Sequence, residues 1–145
     1  MPLYRVLCTV VNIGMIRIMR KPRPRARAAA KDATNQRIVG VAARAIRRSG
    51  YGGTGVADIM KEAGLTHGGF YSHFLSREAM LAEAAGRACA ESAAAVAEVV
   101  ASVPPGQALA SMVGAYLSRE HLERVDVGCP LAALGSETSR QVPEV

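Results

Sequence analysis

Aromatic residues are nearly missing from this chain: there is no tryptophan, and only two Phe and four Tyr stand among 145 residues. Strands favour aromatic and β-branched side chains, whereas alanine is abundant here and half the residues are hydrophobic. That combination supports a core of close-packed helices and argues against a sheet. Cysteine is scarce as well. Cys8, Cys89 and Cys129 lie far apart, with no CxxC pair and no histidine cluster beside them. A disulfide framework and a zinc site are thereby set aside, and reduced thiols in a cytoplasmic compartment are expected. No uninterrupted apolar run is long enough to cross a membrane. Residues 1–19 are apolar but broken by Asn12, Gly14 and Arg17. Arg17, Arg20 and Lys21 follow where a secretory signal would carry a small-residue cleavage site. This stretch reads as an extension upstream of the fold, from an early start codon, with Met15 and Met19 just before the basic segment. The alternative is a membrane-peripheral anchor made of residues 1–31.

Acidic residues are missing from one end only. Residues 1–50 hold 12 Lys and Arg against one Asp, whereas residues 51–145 hold 6 against 11 acids. Such asymmetry suggests a polyanion-binding head on a more neutral body, with a merely solvated basic tail as the bland alternative. The length allows one domain, or a small one with part of a second. Three segments are expected: an N-terminal extension and basic arm over 1–31, a head over 32–83, and a partial helical domain over 84–145.

Within the head, residues 54–74, TGVADIMKEAGLTHGGFYSHF, read as helix, tight turn, helix. Val56, Ile59, Met60 and Ala63 make one apolar face. Thr54 is the expected N-cap, and Gly64 the left-handed residue that ends the helix. Leu65 plugs the angle, and Thr66 caps the next helix. In that short helix Phe70 and Phe74 face inward, which leaves His67, Gly68, Gly69, Tyr71, Ser72 and His73 for a partner. A short polar helix braced on its predecessor is the layout of a helix-turn-helix. Gly68 and Gly69 are poor helix formers, so their use suits a backbone that must approach something closely, such as a groove wall. Tight packing on the neighbouring helix is the rival explanation.

Before this motif, residues 34–49 form a helix with Ile38, Val41, Ala42, Ala45 and Ile46 inward. Arg37, Arg44 and Arg48 share the outer face, and Arg44 and Arg48 are candidates for DNA backbone. Pro22 and Pro24 oppose helix in the arm over 20–31, where Arg23, Arg25 and Arg27 could follow phosphates or enter a minor groove. After the motif, Ser76 caps a long helix over 77–101, stopped by Pro104-Pro105-Gly106. Further helices are expected over 107–124 and 131–140.

Residues 34–83 resemble the DNA-binding head of the tetracycline-repressor-like (TetR/AcrR) transcriptional regulators. The resemblance rests on TNQRIVGVAARAIRRSGYGGTGV, ADIMKEAGLTHGGFYSHF and LSREAMLAEA, which match the form DIxxxAGLTxGxFYxHFxSxExL at every fixed position but the last, where Met80 stands for leucine. It implies an all-α fold: a three-helix DNA-binding head followed by a helical effector-binding and dimerisation domain, here incomplete. It also implies a regulator of transcription, most often a repressor, whose helix 67–73 enters the major groove of double-stranded DNA. By resemblance His67, Gly68, Gly69 and Ser72 approach bases or phosphates. Tyr71 and His73 match phosphate-contacting positions, and Arg77 stands where a lysine usually binds backbone phosphate. Thr54 matches a helix-start residue that caps onto a phosphate, and Thr66 opens the recognition helix. For His73 packing between the two phenylalanines is the rival role. Family members continue past position 145 with two helices that build a four-helix dimer interface. A C-terminal truncation is therefore expected, which weakens the expectations of a homodimer and of a complete small-molecule effector site. A non-functional fragment is the corresponding alternative. An enzyme built on Asp58, His67, Ser72 and His73 is disfavoured, because an exposed seven-residue helix gives no water-excluding pocket, and no cofactor or metal spacing is present.

Overall fold

The computed structural model describes residues 24–143 and Val145, and among these every regular element is helical. The expectations placed on residues 1–23 lie outside the described residues. The chain divides into two compact units, Met1–Ala30 and Lys31–Val145. Of the first, residues 24–30 are helical and exposed. The second holds both the head and the residues after it.

Helix α1 runs Pro24–Ser49, ten residues longer at its start than its apolar periodicity indicates. Proline was read as a helix breaker here, and that reading is corrected. Pro24 stands at the start of the described helix, where a proline's fixed φ is tolerated. Ile38, Val41, Ala42 and Ile46 are buried as the pattern requires, and Ala45 is half-buried. Val39 and Ala43 are buried too. They form a second stripe, which Arg47 extends by one more turn toward α3. Helix α1 is thus covered on two sides.

Helix α2 spans Val56–Glu62 and packs on the following 3-10 helix, His67–Ser72. Helix α3, Arg77–Ala101, starts as expected: Ser76 Oγ accepts from Ala79 N–H at 3.0 Å, with Glu78 in the first turn. Met80, Leu81, Ala84 and Ala88 place its first half in the core. Pro104 and Pro105 follow its C-cap, Ser102.

The helix expected over 107–124 is two helices, α4 (Ala108–Tyr116) and α5 (Arg119–Glu123). Ser118 divides them, because its side chain accepts from His121 N–H and caps α5. Helix α6, Pro130–Thr138, again begins on a proline. It packs on α3 and sends Leu134 into the same core cluster as the buried residues of the head. Helices α4 and α5 leave Leu109, Leu117 and Leu122 exposed. No described helix is long and apolar enough to cross a membrane. Cys89 is exposed and Cys129 half-buried, both as free thiols.

Candidate nucleic-acid interface

The geometry of the site begins where α2 stops. Gly64 has φ +70°, the left-handed conformation expected of it. Its N–H donates to the Lys61 carbonyl, and Leu65 N–H donates to the Met60 carbonyl at 2.8 Å. These two bonds form a Schellman motif, which satisfies the last carbonyls of α2 and turns the chain sharply. Leu65 then packs on the edge of the core. Thr66 occupies the N-cap position of the next element in extended conformation, but its side chain makes no capping bond, which corrects the expectation of a threonine cap.

That next element is a 3-10 helix rather than an α-helix. Gly69 N–H donates to Thr66 C=O and His73 N–H to Phe70 C=O, both across three residues. Two adjacent glycines cannot sustain an α-helix over six residues, and the tighter 3-10 form is the usual outcome in pieces this short. The inward and outward faces are nonetheless those expected. Phe70 and Phe74 are buried, with ring centroids 5.5 Å apart. Thr66, His67, Gly68, Tyr71 and Ser72 are exposed, with Gly69 half-buried. Tyr71 is 72% exposed, yet its ring meets Phe70 edge-on at 5.2 Å, which fixes its direction. Ser72 Oγ donates to the Gly69 carbonyl at 2.7 Å, leaving its oxygen free to accept. His73 is half-buried between the two phenylalanines in sequence, and its buried Nδ1 has no partner among the described residues.

The glycines distinguish packing from close approach. A Cβ on Gly68 would meet no described atom within 4 Å, and one on Gly69 would make only ordinary contacts at 3.7 Å. Neither has a positive φ. Packing inside the molecule therefore does not call for glycine at either position.

Two cations of α1 reach the end of α2. Arg48 Nη2 lies 3.0 Å from Glu62 Oε2, and Arg44 Nη2 lies 3.9 Å from Glu62 Oε1. Both arginines remain partly exposed, and one carboxylate offsets two charges.

Two candidate residues have other work inside the fold. Thr54 is only 3% exposed, and its hydroxyl donates to the Gly50 carbonyl at 2.7 Å. The N-cap of α2 is Gly55, so Thr54 neither caps that helix nor presents its hydroxyl outward. Arg77 reaches back to the α1–α2 corner. Its guanidinium donates to the Tyr51 carbonyl and, at 3.2 and 3.4 Å, to the Thr54 carbonyl, with Glu78 at 3.7 Å. In this structure the Arg77 fork is engaged by two backbone carbonyls and the Thr54 hydroxyl by a third, so neither is presented as an unengaged phosphate ligand.

Sequence reasoning also passed over Arg47. Its side chain is fully buried; Nη1 meets Glu91 Oε2 at 2.9 Å and Nη2 meets the Ala88 carbonyl at 2.8 Å. A longer contact of 3.4 Å reaches the Asp126 carbonyl, while Nε has no partner among the described residues. Arg87 holds the other Glu91 oxygen at 2.7 Å. Burial alone would raise the Glu91 carboxyl, but hydrogen bonds and charge from Arg87 and Arg47 outweigh it, and the group lies below its ordinary value. The i, i+4 spacing of Val39, Ala43 and Arg47 was the available signal.

A Schellman turn, a short exposed element braced by two phenylalanines and two α1 cations at the end of α2 together define a helix-turn-helix DNA-binding protein. Residues 38–84 match the family described as bacterial regulatory proteins, tetR family. The chain thus carries the DNA-binding domain of the tetR family of transcriptional regulators. A search of curated proteins returned no match.

Proposed function

We propose that this regulator places the exposed face of residues 67–72 in the major groove of double-stranded DNA. In this reading His67, Gly68, Gly69 and Ser72 lie nearest the base edges. Tyr71 and His73 meet phosphates, Thr66 lies at the groove rim, and Arg44 and Arg48 face the backbone from α1. Phosphate contacts set register, and the few base contacts set sequence. The observation that carries the reading is the open space around Gly68, where nothing within the molecule requires a missing side chain.

Repression is the mode the family resemblance implies: an occupied operator excludes the transcription machinery. Control by a small molecule is supported by an apolar cavity of about 530 Å³ lined by Val96, Val99, Met112, Val113, Tyr116 and Leu131, among others. Two heads about 34 Å apart along the duplex would read two half-sites, and one head reads one. Light scattering of the purified chain decides between them.

The test of DNA binding is a fluorescence-anisotropy titration of the full chain against random-sequence duplexes of about 30 bp, repeated across salt concentrations. The logarithm of affinity should fall linearly with the logarithm of salt, by about 0.9 for each phosphate neutralised. Affinity indifferent to salt would remove the phosphate contacts from the proposal. Selection from the same pool then yields the preferred sequence.

A further inference from the structure

The corner between α1 and α2 is held from outside by two residues distant in sequence. Gly50 turns the chain there with φ +69°. On one side, Arg77 grips the carbonyls of Tyr51 and Thr54 from the first turn of α3. On the other, Tyr51 N–H donates to Glu137 Oε2 at 2.9 Å, and Glu137 belongs to the last turn of α6. The backbone of one buried residue, Tyr51, is thus held at its N–H by Glu137 and at its C=O by Arg77. The carboxylate is seated directly on the backbone: a Cβ on Gly50 would stand 2.2 Å from Glu137 Oε1. Leu134, three residues earlier on α6, is buried in the core of the head, so the carboxylate is carried by a docked helix and not by a loose one.

We propose that Glu137 is a positioning residue for DNA binding, fixing the α1–α2 corner and with it the presentation of α2 and the 67–72 element. The inference rests on the DNA-binding reading given above. It adds a specific tie through which α6 governs that reading: with the carboxylate in place the corner is fixed, and with α6 shifted the Tyr51 amide is released. Charge is not the operative feature. What matters is an acceptor at the right reach, because a backbone N–H needs only an oxygen within hydrogen-bond distance.

Three variants of the full chain separate reach from charge and from general stability. Glu137→Ala removes the acceptor. Glu137→Asp keeps the charge but withdraws the oxygen by one methylene. Glu137→Gln keeps an oxygen at the original reach without the charge. Hydrogen exchange at the Tyr51 amide reads the tie itself, with the Ala63 amide, bonded to the Ile59 carbonyl inside the head, as internal control. Anisotropy with the random duplex pool reads its consequence. In Ala and Asp variants the Tyr51 amide should exchange faster while Ala63 keeps its protection. DNA affinity should fall by about tenfold in both, the equivalent of one ordinary hydrogen bond, and should return to within about twofold of the parent in the Gln variant. Unchanged Tyr51 exchange in Glu137→Ala overturns the tie. Faster exchange with undiminished affinity overturns the positioning role, as does a Gln variant no better than Ala. Parent protein that binds no duplex shows instead that the DNA reading has failed, and the positioning role falls with it; the exchange data then report on the tie alone.

Discussion

Glu62 Oε2 lies 3.0 Å from Arg48 Nη2, so the last residue of α2 holds a cation that α1 would otherwise extend to solvent. The same carboxylate faces Arg44 at 3.9 Å. Surface ion pairs of this kind contribute about 0.2–1 kcal/mol to stability, and losing them is tolerable. Glu62→Ala should therefore leave folding almost unchanged but free two arginines for phosphate. Its affinity for the random duplex pool should rise at low salt. Its salt slope should steepen by about 0.9 for each arginine that finds a phosphate. An unaltered slope, measured by anisotropy, would remove Arg44 and Arg48 from the interface.

Gly68→Ala sets stability against binding. The methyl group meets nothing in the protein, and alanine in place of glycine favours helical backbone by about 0.5–1 kcal/mol. The variant should melt at the same temperature as the parent or slightly above it, yet bind DNA more weakly because the backbone can no longer approach the groove. Equal binding by parent and variant would show that the glycine serves no contact.

Tyr71 and Arg77, both assigned to phosphate on sequence grounds, should now behave differently. Tyr71→Ala removes a largely exposed ring, so stability should hold while affinity drops for all sequences alike. His67→Ala should instead shift sequence preference in a selection experiment. Arg77→Ala strips the α1–α2 corner of its carbonyl ligands and should cost about 1.5–3 kcal/mol in denaturant unfolding. Arg77→Lys should not restore that loss, since an ammonium on a flexible stem lacks the planar fork that spans two carbonyls. Full stability in Arg77→Ala would return the residue to the list of phosphate contacts.

Glu91 gives the molecule a pH dependence of definite sign. Its carboxyl lies below the ordinary value of 4.5 in the folded state, although burial opposes this, because Arg87 and Arg47 both donate to it. In the unfolded chain the carboxyl regains its ordinary value and takes up a proton first as pH falls. The stabilisation is therefore complete above that value and is lost as pH drops through the folded one. As pH falls below the ordinary carboxyl value, denaturant midpoints should drop more steeply in the parent than in Glu91→Gln. The variant should also be weaker near neutrality, where Arg47 keeps its buried charge without a counter-charge. Parallel pH profiles would show that the Arg47–Glu91 pair does not contribute in this range.

Much of the helix-turn-helix was legible in the sequence because it depends on local chemistry. Gly64 ends α2 wherever that helix is placed, since few other residues enter the left-handed region without strain. Phe70 and Phe74 point inward together because the turn between them closes in α fashion, with Phe74 N–H donating to the Phe70 carbonyl at 3.1 Å, and residues four apart then share a side. Ser76 caps α3 within three residues of itself. Where the reading erred locally, a competing local rule had been overlooked. Pro24 was weighed as a breaker and not as a first-turn residue, and Ser118 was passed over as a cap that divides α4 from α5.

The sequence by itself determined an all-helical chain with a glycine turn, an outward face over positions 66–73 and a basic first helix, because these follow from spacing and from backbone preferences acting over a few residues. Only the tertiary structure decided the fate of the charged side chains. Arg44, Arg47, Arg48 and Arg77 look alike along the chain, yet one is buried against Glu91, one grips the corner carbonyls and two share Glu62. Long flexible side chains reach partners tens of residues away, and which partner lies within reach depends on how the helices pack.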